Sequence, residues 1–463
     1  MDQSLREHGL RVERVLTGQS KADDAFIPES ESRQVSTSLA VIVVACLLPY
    51  ISFGPISTPS QIQPWAGLLA WLWVGYKALK SNVHVTSFQW VLILFAGYFM
   101  VNVYGGENFE ISLYLRRSGA YILCAGIFLA CQYLTPATLW RALKFTIPIW
   151  LAFGTLRYID RSVYYSVVRP IVPTVFSLDV RGTSSLAPEA TDFGFSMVFT
   201  LALCLIARRR LLQQGLKAEI WPLFAVIAAV LISLSGTGYL GLAVIGALYL
   251  LTSPAVKYGA IGRSFLAALL TVVAIVVVGL LPSQSIRGVE LLRLAVQDPI
   301  SLMDTTTSYR IVHGAVGVLG LVDSGYFGYG AGSFQTEAIA VYQRHHLGSF
   351  FQLRNYYEVN VPATLSNNPS SQVAVVLLEF GVVGVLYLLL VFGFAIRSRI
   401  PLKGIAVSVM VLAWLGSFPA AWPLFWLVLG IMMSPHFVDA GSGRTIALRS
   451  TTFVAPNRDR PPR

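Results

Sequence analysis

The chain of 463 residues is 55% hydrophobic and only 12% charged, whereas an ordinary soluble domain carries about 25% charged residues. With a mean hydropathy of +0.64, this composition excludes a string of soluble domains and predicts one polytopic membrane protein. The net charge of +11 does not indicate nucleic-acid binding, because the basic residues are scattered between apolar runs and form no patch.

The polar first 38 residues predict a cytoplasmic N-terminal tail and not a cleavable signal peptide. Residues 39–436 would form the membrane domain, and residues 437–463 a cytoplasmic C-terminal tail. Four cysteines lie within apolar runs, and their spacing indicates buried thiols instead of a disulfide framework or a zinc site. They are Cys46, Cys124, Cys131 and Cys204.

Apolar runs along the chain predict an all-α integral membrane protein with about twelve transmembrane helices, since a helix needs about 20 apolar residues to cross a bilayer. The runs lie near 39–56, 62–79, 86–104, 118–134, 142–157, 190–207, 220–235, 238–252, 264–281, 371–396, 405–417 and 420–436. Only "SGTG" divides the seventh run from the eighth, so the count of twelve depends on a break between them.

The charges between the runs predict the orientation. Every second gap is rich in lysine and arginine, and these gaps contain one acid, Glu219. By the positive-inside rule they are cytoplasmic, and so are both termini. The two long gaps, 158–189 and 282–370, then face outward.

Short helices are predicted within the second outer loop. Residues 287–297 have one charged and one apolar face, as expected of a helix on the bilayer surface. Residues 308–321 would form a second helix, with Arg310 and His313 on one face. A third is predicted over 334–346.

Between the last two helices stands "GYGAGSF", which contains Gly328, Gly330 and Gly332. The spacing does not match a nucleotide-binding loop, and no GKS or GKT follows. The first interpretation is a tight turn that needs positive φ or close backbone approach. The alternative is that exposed N–H groups, that of Gly330 among them, cradle a phosphate.

Two outward-facing arginines are candidates for binding a diphosphate, because a guanidinium can bind phosphate oxygens in a bidentate manner. They are Arg181, which closes the first outer loop, and Arg310; anchoring to lipid headgroups is the alternative. Glu189 suits either the first turn of the helix that follows it, where a carboxylate favours the helix dipole, or a catalytic role.

Further residues carry less specific signals. His345 and His346 lack the neighbouring acids that a metal site would need, so no metal is predicted. Tyr356 could stack on a sugar ring or lie at the membrane interface. Glu379 lies inside a predicted span, where an acid costs about 2.5–3.5 kcal/mol. We therefore expect it to pair with a loop arginine or to hydrogen-bond across helices.

Three stretches resemble the bacterial O-antigen polymerase and O-antigen ligase superfamily. They are "RGTSSLAPEATDFG", "YRIVHGAVGVLGLVDSGYFGYGAGSF" and "SNNPSSQVAVVLLEFGVVGVL". The span layout, with its long outer loop between the ninth and tenth spans, is similar over nearly the whole chain. The three local motifs cover about an eighth of it.

The resemblance implies transfer of a glycan from undecaprenyl diphosphate to an acceptor hydroxyl at the outer face of the bacterial inner membrane, without metal or cofactor. Arg181 and Arg310 would hold the diphosphate, and Glu189, His313 or His345 would be the base, with Gly330, Tyr356 and Glu379 in support. The donor and acceptor are lipid-linked oligosaccharides. A chain-length regulator and a flippase are further expected partners.

Polymerase and ligase differ at one place in the family, where the ligase has a His-Asn pair before the tenth span. This chain has Asn367-Asn368 there, and asparagine is not a base at neutral pH. The ligase base is then missing, unless His313, His345 or His346 reaches the same place from the loop. A polymerase is favoured over a ligase that transfers the glycan to lipid A core. A lipid-linked oligosaccharide flippase is disfavoured, because neither midplane ionisable groups nor paired repeats are found.

Overall fold

A computed structural model describes most of the chain. It covers residues 29–52, 62–80, 83–106, 111–172, 182–252, 297–298, 307–351, 365, 371–415, 422–438 and 451–452. The chain divides into two compact units, Met1–Ser38 and Leu39–Arg463. The candidate residues Arg181 and Tyr356 lie outside the described residues, as do Asn367-Asn368, the ninth predicted span and nearly all of the predicted surface helix 287–297.

The described part of the chain is almost entirely α-helical, which confirms the predicted all-α class. The helices are α1 (Glu29–Leu47), α2 (Trp65–Lys80), α3 (Ser87–Val101), α4 (Ile111–Cys131), α5 (Pro136–Ile159), α6 (Arg161–Val168), α7 (Ala190–Gln213), α8 (Trp221–Ser233), α9 (Gly236–Thr252), α10 (Thr307–Asp323), α11 (Phe334–Arg344), α12 (Leu347–Phe350), α13 (Gln372–Arg397), α14 (Lys403–Leu415) and α15 (Pro423–Met433). A 3₁₀ turn spans Pro435–Phe437, and the strands β1 (His84–Val85) and β2 (Thr451–Thr452) pair antiparallel.

Two of these helices, α7 and α13, are long and apolar enough to cross a membrane. Each predicted apolar run other than 264–281 overlaps a helix, but several of the helices are shorter than a bilayer crossing requires. Helices α8 and α9 are separate, because Leu234 adopts a left-handed conformation between them. Association with a membrane is thereby supported, and the count of twelve spans stays a prediction.

Helix α7 forms the centre of one group of helices, in which it packs against α5, α8 and α9. Buried residues surround it on every side, from Phe193 to Leu211, as expected of a helix that is apolar all round. In a second group, α4 packs against α2, α3 and α15. Helix α14 joins the groups through contacts with α7, α9, α13 and α15.

Stacked aromatic rings fix how α13 lies against α3. Phe394 stacks on Phe88 with ring centroids 4.1 Å apart, and Phe380 stacks on Phe99 at 3.9 Å. The two helices are therefore antiparallel. The first turns of α13, before Phe380, extend beyond the end of α3.

Helix α10 packs against this extension of α13 and runs in the same direction. Gly317 lies against Ala374 and Gly320 against Leu378, so closely that a Cβ on either glycine would clash. The predicted helices 308–321 and 334–346 are confirmed as α10 and α11. Both lie on the part of α13 that extends past α3.

Candidate functional site

The glycine turn between α10 and α11 docks onto a break in α13. At Gly381 the helix leaves helical geometry, with φ 57° and ψ −138°. The N–H of Val382 donates to the Tyr326 carbonyl at 2.8 Å, and the carbonyl of Leu378 accepts from Tyr329 at 2.9 Å. The turn thus supplies hydrogen bonds to backbone groups that the break has released from the helix.

Positive φ angles at Gly328, Gly330 and Gly332, of 80°, 97° and 88°, confirm that this stretch is a turn that needs glycine. The alternative, in which backbone N–H groups of this turn cradle a phosphate, is wrong for the residues at the centre of the turn. The Gly330 N–H donates to the Glu379 carbonyl at 2.8 Å, and the Ala331 N–H donates to the Asn102 carbonyl at 2.8 Å. These donors are held by protein carbonyls and are not available to a ligand.

Placing an acid inside an apolar helix costs free energy, and the side chain of Glu379 has partners that offset this cost. Its side chain is 1% exposed, and Arg117 Nη1 of α4 lies 2.5 Å from its Oε1. The backbone N–H of Phe334 donates to the same oxygen at 3.2 Å. The expected bonding across helices is therefore present, whereas the arginine partner lies on helix α4 and not in a loop as the alternative had it.

Arg310 and His313 lie in neighbouring positions on α10 but in different environments. Arg310 is exposed, whereas His313 is fully buried and packs near the Phe334 ring. Burial lowers the pKa of His313 to about 4, so its imidazole is neutral at physiological pH. Arg310 therefore lies at the surface, and His313 is part of the core.

His345 is held by an acidic partner that the sequence pattern did not single out. Its Nε2 lies 3.0 Å from Oδ1 of Asp323, the last residue of α10. Arg344 Nη1 donates to Asp323 Oδ2 at 2.6 Å. Burial raises the pKa of the Asp323 carboxyl, but the bonds from His345 and Arg344 outweigh it, and the pKa lies below its usual value.

This arrangement of Asp323 and His345 is suited to proton transfer. A carboxylate that accepts from one ring nitrogen fixes the tautomer of the imidazole and leaves the other nitrogen, Nδ1, free to accept a proton. The His345 side chain is 32% exposed, so its ring is partly open to solvent. His345 thus combines an orienting carboxylate with a partly exposed ring, whereas the ring of His313 is buried.

Glu189 is the N-cap residue of α7, as its predicted place at the start of a helix implied, but its side chain makes no capping hydrogen bond. Asp192 follows in the first turn. The preceding segment is buried, and Ser185 within it has a positive φ of 48°. Such strained positions concentrate at functional sites, although strain alone assigns no role.

Sequence reasoning also missed Arg157, near the end of α5. Its side chain is buried, with Nη1 3.4 Å from Ser184 Oγ and its guanidinium 5.9 Å from the Tyr164 ring centroid. It is thus a buried cation next to Ser184, in the segment that precedes α7. Its place at the end of an apolar run gave no signal that it would face this segment.

No protein-family model matches the chain, and no curated protein matches it.

Proposed function

We propose that the protein is a polysaccharide polymerase of the bacterial inner membrane. It would transfer a glycan from undecaprenyl diphosphate to the acceptor sugar of another lipid-linked repeat unit at the outer face. The observation that carries the proposal is the Asp323–His345 pair, which lies at the ends of two helices packed on the extension of α13. Exposed Arg310 lies on one of these helices, α10.

In the proposed reaction, the acceptor hydroxyl attacks the anomeric carbon of the donor sugar. The bond from that carbon to the diphosphate oxygen breaks, and the lipid diphosphate leaves with the bonding electrons. His345 Nδ1 takes the hydroxyl proton, and Asp323 stabilises the imidazolium that forms. Arg310 and Arg181 would stabilise the charge that grows on the leaving diphosphate, where fixed cations contribute most to rate. No metal is needed for any of these steps.

A deletion strain complemented with variants tests the proposal. His345→Gln should remove the long polymer while the protein still inserts, because glutamine cannot take the proton. The general base typically contributes 10²–10⁴-fold. The matched control is His346→Asn. His346 is exposed, and its backbone has a left-handed conformation that asparagine tolerates. Normal polymer in the His345→Gln strain would refute the assignment of the base.

The arginines are tested in the same strain. Arg310→Ala and Arg181→Ala should each abolish polymer, and lysine should restore it poorly because a point charge lacks the bidentate fork of a guanidinium. Full activity in both alanine variants would exclude the diphosphate role.

The deletion strain also separates polymerase from ligase. Loss of a polymerase leaves single repeat units, attached to their acceptor or accumulated on the carrier lipid, and removes only long chains. If long chains persist on the carrier lipid but are not transferred, the protein is a ligase.

A further inference from the structure

Glu379 caps a helix to which it does not belong. The Phe334 N–H that donates to its carboxylate is the first of α11. Ser333, which occupies the N-cap position of α11, makes no capping hydrogen bond with its side chain. A carboxylate at a helix N-terminus is favoured both by the unsatisfied N–H groups there and by the helix dipole. Glu379 of α13 therefore acts as the N-cap of α11, a role that is usually filled by a residue next to the helix in sequence.

The opposite end of α11 carries the proposed base. The helix ends at Arg344, and the next residue is His345; both bond to Asp323 at the end of α10. At 1.5 Å per residue, the 11 residues of α11 make a rod of about 16 Å. Because the helix is stiff over this length, the position of Phe334 at its start determines the position of His345 at its end.

A second set of contacts fixes the start of this rod to the helix bundle. Arg117 of α4 bonds the same carboxylate. The Tyr104 hydroxyl, just after α3, donates to Glu337 in the first turn of α11 at 2.8 Å. Ala331, in the glycine turn, forms a β-bridge with Val103. Elements from three places in the chain thus meet at the N-terminus of α11.

We propose that Glu379 is a positioning residue: through α11 it sets the place of His345 relative to the helix bundle, and so relative to a substrate held at the membrane surface. This inference rests on the proposed function for the reaction that it serves. Glu379 itself is 1% exposed and touches no reacting atom. A displacement of about 1 Å at a catalytic group can cost about a hundredfold in rate, so a fixed anchor far from the chemistry matters.

The buried pair permits a test in which the fold is kept. Removing one partner would leave an unpaired buried charge, but replacing both by apolar residues of similar size is often neutral or stabilising. Arg117→Met with Glu379→Met therefore removes the anchor without an orphaned charge. Glu379→Gln keeps an oxygen that can accept from Phe334 and should have an intermediate effect. The matched control is Lys144→Met with Glu219→Met, an ion pair between α5 and the segment before α8.

The measurements are a distance and a polymer yield. Spin labels on cysteines introduced at Gln343, exposed near the end of α11, and at Leu386, exposed on α13 beyond the break, report how firmly the rod is held. The native cysteines are buried and need not react. The double Met variant should unfold at or slightly below the wild-type temperature, since losing the cap of α11 costs about 1 kcal/mol. It should also show a broader distance distribution and lower polymer yield by about ten- to a hundredfold. The control pair should change neither measurement.

Two results would overturn the inference: lost polymer with an unchanged distance distribution, or wild-type polymer with a broadened one. Normal polymer in the deletion strain would instead overturn the proposed function, and with it the catalytic part of the inference. Because the distance measurement needs no substrate, the two failures are distinguishable.

Discussion

Buried His313 should make the stability of the protein depend on pH in a defined window. Its pKa is lowered from 6.5 to about 4 by burial. In the unfolded chain the imidazole takes up a proton near pH 6.5, whereas in the folded protein it does so only near pH 4. Between these two pH values the unfolded state binds more protons than the folded state. The contribution of His313 to the free energy of unfolding is therefore fully present above pH 6.5 and is lost as the pH falls towards 4.

The size of this effect follows from the two pKa values. At about 1.4 kcal/mol per pH unit, the loss amounts to about 3 kcal/mol when the pH has fallen below 4, and to about 2 kcal/mol at pH 5. His313→Phe keeps an aromatic ring in the core next to Phe334 and removes the titration. Its stability should therefore decline less than that of the wild type across the window.

The assay is thermal unfolding of the full-length protein in detergent, followed by tryptophan fluorescence at pH values from 7.5 to about 4. His346→Asn is the control, because His346 is exposed and its replacement should have little effect on folding. The quantity to compare is the difference between each variant and the wild type at the same pH, since other groups titrate in both. If the His313→Phe and wild-type curves run parallel from pH 7 to 4, the argument from burial fails.

The remaining predictions concern the turn and the orientation. Gly330→Ala should lower the free energy of unfolding by about 1–3 kcal/mol, because φ is 97° and a Cβ would lie 2.7 Å from the Tyr104 nitrogen. Gly314→Ala should be neutral or stabilise by up to about 1 kcal/mol, because a Cβ at that position would meet nothing within 4 Å. A cysteine at Ser349 should react with an impermeant thiol reagent added from outside and one at Arg209 should not, and the reverse labelling would contradict the orientation.

Local patterns predicted the features that depend on neighbours in sequence. The apolar runs indicated the helices, the spacing of 308–321 indicated α10, and the three glycines indicated positive φ. These outcomes follow from periodicity and from the steric freedom of glycine, which are properties of short segments.

Contacts between residues that are distant in sequence could not be predicted in this way. The cost of burying Glu379 showed that it needed a partner, but many arginines could have been that partner, and only the packing of α4 against its neighbours selects Arg117. Asp323 gave no signal of its own, because its pairing with His345 depends on the angle between α10 and α11. The phosphate-cradle alternative failed because the carbonyls that occupy the turn belong to distant segments, one of them α13.

The exchange of hydrogen bonds at Gly381 has a consequence for biogenesis. Residues 326–330 are synthesised before Leu378 and Val382, so the turn leaves the ribosome ahead of the broken helix that it completes. In a bilayer, backbone groups left open at such a break would each cost several kcal/mol. Helix α13 therefore reaches its lowest energy only after an earlier segment has docked on it, and truncating or delaying that segment should expose α13 to membrane quality control.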